Sequence, residues 1–250
     1  MSERYWQPSM PRAAALLGVA VAGAAAVAGC SASGAGTASA AGTASATSSA
    51  GMAAAGLPAS FTAARLRGAL LNKVNGRQPA AVPEAGAFGK LPDAQLGKQS
   101  LRGVTVTPAS CAQATLTGFN SAEFADLPAS VVTFRVGQDG VSEVIVAASP
   151  ASAAKALATK LPAGCTHYRA TVAGRTFAYE VEEAPVSGLA QQARAVNVKA
   201  VGYPGVDMWS VVFRANGYVG AVTIFGPDAS EQGAKVLAAD AYAKAGESLH

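Results

Sequence analysis

The sequence predicts an α+β domain, an antiparallel β-sheet flanked by helices, built as one globular unit from residues 57–250. Two observations lead there. Short apolar alternations are joined by Asp-Gly, Ala-Gly and Asn-Gly dipeptides, the turn chemistry of hairpins. Helical periodicities with cap residues fall between those hairpins, and hairpins interrupted by helices make a sheet covered by helices.

The elements follow in order. Leu66, Leu70 and Val74 recur every four residues and predict a helix over 60–74, ended by Asn75-Gly76. Residues 77–102 are rich in Gly and Pro and read as irregular. Residues 104–107 read as a short strand, after which Pro108 opens a helical turn carrying Cys111. Val132, Phe134 and Val136 alternate with Thr133 and Arg135, so 130–136 is a strand with a buried face. Asp139-Gly140 turns it into a second strand over 141–148. Ser149 caps a helix with Pro150 at its first position, and Ala153, Leu157 and Leu161 form its apolar side.

Residues 167–172, a turn at Ala173-Gly174 and residues 176–183 make a further hairpin. Residues 194–201 are another strand. Residues 208–214 and 218–225 flank Asn216-Gly217, the strongest hairpin signal in the chain. Asp228, with Glu231 three residues on, reads as the cap of a long helix. That helix buries Ala234, Leu237, Ala238, Ala241, Ala245 and Leu249. The recurring Pro-Ala-Ser segments at 58, 108, 128 and 150 have unequal spacings and read as turn and cap chemistry, not as structural repeats.

Composition divides the chain. It has 250 residues, 50% apolar and 14% charged, yet between Arg12 and Arg65 there is no Asp, Glu, Lys or Arg. A wholly disordered chain is excluded by the apolar content after Leu57. A multi-span membrane protein is excluded because one apolar run alone approaches spanning length. The net charge is +4, but Lys and Arg are scattered and form no nucleic-acid motif. A mildly basic, solvated surface is the expectation, with no nucleic acid as partner.

The charge-free stretch reads as an address. Residues 1–12 form a polar region with Arg4 and Arg12, and 13–28 form a short run of Ala, Val, Leu and Gly. Residues 1–29 are therefore expected to be a lipoprotein signal peptide. The run ends in Val27-Ala28-Gly29-Cys30, which resembles the lipobox of bacterial lipoproteins. That resemblance implies a lipid on the Cys30 thiol, cleavage before Cys30 and acylation of the new amine. The membrane then becomes a partner through the N-terminal lipid, and the domain lies at the outer face of the bacterial cytoplasmic membrane. Cleavage after Ala38-Ser39-Ala40, or an uncleaved anchor, are the alternatives. Residues 31–56 contain Ser, Ala, Gly, Thr and one Met. Such a segment has nothing large to bury and reads, with Cys30, as a flexible tether of about 30 Å reach.

In an exported protein the two other cysteines, Cys111 and Cys165, are expected to pair as a structural disulfide. A redox pair or metal ligands are the alternatives. Neither a C-x-x-C spacing nor imidazoles beyond His167 and His250 support them.

The second half of the domain carries a family resemblance. A Pro-Ala-Ser-Cys111 turn precedes strands and the helix 150–161. Cys165-Thr166-His167-Tyr168 and Phe177-Ala178-Tyr179-Glu180 follow, then Val211-Val212-Phe213-Arg214-Ala215-Asn216-Gly217 and a last helix. This layout over 57–250 resembles the actinobacterial exported domains related to the extracellular sensor domain of PknH-type serine/threonine kinases, many of which occur as lipoproteins. The resemblance implies a helix-flanked sheet with a cleft, stabilised by disulfides, and ligand binding instead of catalysis. The family pattern usually has two disulfides, whereas this domain has cysteines for one. A second fold neighbour is the PsbP-like lipoprotein group.

Catalytic constellations are sparse. Nucleophilic catalysis of the Ser-His-Asp kind would have to use His167, and there is no G-x-S-x-G elbow. No Walker loop, dinucleotide fingerprint, EF-hand or H-E-x-x-H motif is present, so neither cofactor nor metal is expected. Glu180, Glu182 and Glu183 would serve as an acid and base pair only across a cleft, and alternation places Glu180 and Glu182 together on a wet face. Aromatic residues concentrate late in the chain. Trp209, Val211 and Phe213 share one strand face, and Met208, Ser210 and Arg214 share the other. Arg214, Trp209 and Tyr218 are the candidate ligand-binding residues, for an anionic or glycan ligand. The expected function is a non-enzymatic, sensor-like lipoprotein whose extracytoplasmic domain binds an envelope ligand or protein. A cell-envelope hydrolase, or a protein-interaction factor without a small ligand, is the alternative.

Overall fold

The computed structural model describes residues 61–113, 122–203 and 205–249. The export signal, Cys30, the tether and residues 57–60 lie outside the described residues. In chain order the strands are β1 (Glu84–Ala87), β2 (Thr105–Thr107), β3 (Pro128–Val136), β4 (Asp139–Ala147) and β5 (His167–Val172). They continue with β6 (Arg175–Pro185), β7 (Gln192–Ala200), β8 (Asp207–Ala215) and β9 (Tyr218–Phe225). Among the described residues four α-helices accompany them: α1 (Ala63–Ala69), α2 (Pro92–Ser100), α3 (Pro150–Ala158) and α4 (Glu231–Ser248). The strands form one sheet in the order β1-β3-β4-β9-β8-β7-β6-β5-β2, every neighbour antiparallel. This is the α+β architecture expected from the hairpins and inserted helices.

Helices α1 and α4 cover one face over β3, β4, β9 and β8. Leu66, Val132, Phe134, Ile145, Val211, Phe213, Val222 and the Ala234, Ala238, Ala241 and Ala245 stripe form the core there. The small alanine side chains let α4 lie close on the sheet, and Phe213 meets Tyr242 edge-on at 6.0 Å. The opposite face buries Val131, Val144, Val212 and Val219 against Leu91, Phe124, Ala153 and Leu157. Towards β5, that second face is closed by Cys111, Cys165, Met208 and the stacked pair Tyr168–Tyr179, whose rings lie 5.2 Å apart.

Several boundaries differ from the sequence expectation, each for a local reason. Helix α1 stops at Ala69. Leu70 is extended, and Asn75 and Gly76, with φ of 48° and 73°, make the turn that closes the Val74–Arg77 bridge. The Leu66, Leu70 and Val74 side chains are all buried nonetheless, the last two from extended chain. Residues 77–102, expected to be irregular, contain β1 and α2, with Pro92 in the first turn of the helix. The β3–β4 turn is Gly137-Gln138, because Asp139 is already paired with Val136. Ser149 caps α3 as expected, its Oγ accepting from the Ser152 N–H at 3.1 Å, but the helix ends at Ala158. The cap of α4 is Ser230, which accepts from the Gly233 N–H at 3.2 Å; Asp228 instead donates its own N–H to Asp139 Oδ1.

Candidate functional site

Beyond the reach of α1 and α4, the face they cover elsewhere stays open across β5, β6 and β7. Strand alternation sends Tyr168, Phe177, Tyr179, Val181, Val196 and Val198 to the buried side. Their neighbours therefore face outward. The pairing register sets these neighbours in rows. Trp209 is opposite Asn197, which is opposite Glu182. Asp207 is opposite Lys199, which is opposite Glu180, which is opposite His167. Ala178 is opposite Arg169, which is opposite Thr107 on β2.

Two clefts occupy this face. One, of about 490 Å³, is lined by Thr107, Arg169, Ala178 and Val201. The other, of about 470 Å³, is lined by Glu182, Asn197, Lys199, Asp207 and Trp209. His167 and Glu180 line both and join them. Asn197 is fixed by donating to Asp207 Oδ1 at 2.9 Å and to the Met208 carbonyl at 3.3 Å. His167 Nε2 lies 3.7 Å from Glu180 Oε1, and Nδ1 lies 3.2 Å from Thr166 Oγ1. Among the described residues no group of three or more His, Cys, Asp or Glu converges as a metal site.

The three ligand-binding candidates do not meet. Trp209 stands at the margin of the open face, half-buried against the core under α4. Arg214, five residues on, points to the other face, where Nε donates to Gln192 Oε1 at 3.1 Å. Tyr218 is buried beside Phe61, with ring centroids 6.3 Å apart. Burial pushes the Tyr218 hydroxyl far above the usual phenol range, with the Tyr242 and Glu143 charges adding to the shift. Glu180 and Glu182 share the wet face, as the alternation required. Glu183 turns to the opposite face, where it pairs with Arg194 at 3.2 Å and accepts the Leu161 N–H. Desolvation lowers the Arg194 pKa, with Glu183 opposing the shift. The same guanidinium donates to the Thr159 carbonyl, so this pair ties the end of α3 to the sheet.

Cys111 and Cys165 form a disulfide, both nearly inaccessible. With both sulfurs in that bond, neither is free to ligate a metal. Among the described residues no helix is long and apolar enough to cross a membrane.

No family model and no curated protein sequence matches the chain. Solved structures do. The chain is similar to the extracellular domain of PknH from Mycobacterium tuberculosis. The identity is 16% and the TM-score 0.49, over 74% of this chain and 97% of that one. An uncharacterised protein of Mycobacterium smegmatis is 17% identical with a TM-score of 0.42, over 66% of this chain and 85% of that one. The PknH extracellular domain is of the kind that the residue layout resembles.

Arg169, Asn197, Lys199 and Asp207 are polar residues of this face that the sequence reading passed over. Each is an ordinary strand polar residue alone. The available signal was the alternation of Asn197 and Lys199 with Val196 and Val198, which sets the polar residues on one face, where Lys199 is exposed and Asn197 is buried.

Proposed function

We propose that this chain is a bacterial lipoprotein, anchored through Cys30 at the outer face of the cytoplasmic membrane. Its extracytoplasmic domain binds a ligand on the open face of β5–β8, as a sensor-like module without catalysis. The observation that carries the reading is the open face itself. Beside the region that α4 covers, it keeps five charged side chains, an amide and an indole around two joined clefts. The disulfide suits an oxidising compartment outside the cytoplasm. The address rests on the lipobox at Cys30 and the charge-free stretch around it.

Thermal-shift screening of the full chain against envelope-derived compounds tests the site. A ligand is expected to raise the melting temperature of the wild type and to lose that effect in Glu182→Ala and Lys199→Ala. A shift unchanged in both variants places binding elsewhere. Labelled fatty acid tests the anchor: equal incorporation into wild type and Cys30→Ala refutes it.

One observation favours the hydrolase reading, the Thr166–His167–Glu180 line of contacts. The His167 side chain is 74% exposed, however, and Glu180 49%. Acid–base and oxyanion chemistry draws its strength from a fixed, water-poor setting, which this pair lacks. An esterase or glycosidase activity abolished by His167→Ala and by Glu180→Gln would replace the binding reading with the catalytic one.

A further inference from the structure

We infer that the open face of β5–β8 is built for an uncharged oligosaccharide, bound across the strands. This rests on the proposed reading of that face as the ligand site and specifies the ligand's chemistry.

Charge order is the first argument. Along the middle row, Asp207, Lys199 and Glu180 alternate in sign, and Glu182 lies in the neighbouring row. Lys199 makes no ion pair within 4 Å among the described residues, although carboxylates stand on both sides of it in register. A ligand with a large charge of either sign meets a repelling group beside each attracting one. Hydroxyl groups both donate and accept, so a polyhydroxylated neutral molecule satisfies carboxylates, ammonium and amide alike without that conflict.

Shape is the second argument. Trp209 flanks the middle row on β8, partly packed on the core and partly facing the cleft. An aromatic held in this way offers a flat apolar surface, on which the C–H face of a sugar ring stacks. Val201 and Ala178 lie on the other flank of that row, with Arg169 opposite Ala178 in register. From β8 to β5 the row crosses three strand spacings, about 14 Å, the span of a trisaccharide. A row of mixed donors and acceptors, flanked on one side by an indole, matches a short glycan laid across the strands. It does not match a lipid chain, which finds no continuous apolar floor, or a phosphate, which finds three carboxylates against Lys199 and Arg169.

The chain has two tryptophans, Trp6 and Trp209. In a Trp6→Phe background, Trp209 emission of the full-length chain therefore reports the site alone. The probes are β-1,4-linked N-acetylglucosamine trimer and arabinan, galactan and mannan trisaccharides, with spermidine and tripolyphosphate as charged competitors. We expect a saturable emission change with at least one trisaccharide, weakened about tenfold by Glu182→Ala and by Lys199→Ala. Arg214→Ala, on the other face, is expected to leave it unchanged. No saturable change with any trisaccharide overturns the inference, as does tighter binding of spermidine or tripolyphosphate. So does self-association that shields Trp209 without sugar. If a non-sugar ligand from the thermal-shift screen perturbs Trp209, the sugar assignment fails and the site reading stands. If every bound ligand leaves Trp209 and both variants unaffected, the site reading itself fails.

Discussion

The Leu71 N–H donates to Glu143 Oε2 at 2.7 Å, joining the chain just after α1 to the middle of a central strand. Glu143 is fully buried, and its Oε1 has no hydrogen-bond partner among the described residues. Desolvation lifts its pKa from 4.5 to about 8, against the opposing pull of the Leu71 bond. Between those values the folded chain holds a proton that the unfolded chain has released. Stability therefore falls as pH rises from about 4.5 to about 8, by about 1.4 kcal/mol per unit of pKa difference, and is level in this contribution outside the window. Glu143→Gln keeps the acceptor for Leu71 and cannot ionise. Its urea midpoint is expected to lack the fall across this window that the wild type shows. Parallel slopes in the two proteins would disprove the assignment.

The Cys111–Cys165 bond spans 54 residues of sequence. On the chain-entropy account, a loop of that length stabilises the fold by about 4 kcal/mol. Both sulfurs are also buried in the cluster formed by Tyr168, Tyr179 and Met208, so the reduced protein keeps much of that packing. Reduction is expected to lower the melting temperature while the β-sheet signal of circular dichroism at low temperature persists. An unchanged melting curve with both thiols free would refute a stabilising role.

Two glycines carry opposite predictions. Gly220 sits opposite Phe213 in the centre of the sheet, and a Cβ there would lie 2.5 Å from the Phe213 ring. That ring is held from above by Tyr242 and is wholly buried, so it has nowhere to move. Gly220→Ala is expected to cost about 1–3 kcal/mol. Gly246, near the end of α4, has open space around its would-be Cβ. Gly246→Ala is expected to stabilise by up to about 1 kcal/mol through helix propensity. Denaturant midpoints moving in the same direction for both would refute the distinction.

The elements read correctly from sequence are those with strong local signals: the β3 to β4, β5 to β6 and β8 to β9 hairpins, the Ser149 cap and the α4 stripe. Strand β1 was missed because Glu-Ala-Gly-Ala has no β-branched residue, and its extended form comes from pairing with β3. Asn75-Gly76 was misread because the same dipeptide ends helices and closes tight turns, and only the Val74–Arg77 pairing decides between them. At the site, the outward faces of β5 and β6 were legible by alternation, but where the cover by α4 stops was not, since that depends on how far a helix reaches over strands distant in sequence. Glu143 had a legible signal, standing at period two between Val141 and Ile145, which are both buried.

The start of α4 gives the last prediction. Asp228 and Glu231 have the spacing of a capping box, yet Ser230 Oγ takes the Gly233 N–H at 3.2 Å and Glu231 is the first helical residue. Asp228 contributes its backbone N–H to Asp139 Oδ1 at 3.1 Å, a bond that survives any substitution of the 228 side chain except proline. Ser230→Ala leaves the Gly233 N–H without its side-chain acceptor, at an expected cost of about 1 kcal/mol. Asp228→Ala removes only a carboxylate near the positive end of the helix dipole, at a cost of about 0.5 kcal/mol that salt screens. Urea unfolding of the two variants at low and high salt separates these roles. The Ser230→Ala loss is expected to be the larger and to be independent of salt. The reverse order would make Asp228 the cap in solution and restore the boundary that the sequence alone suggests.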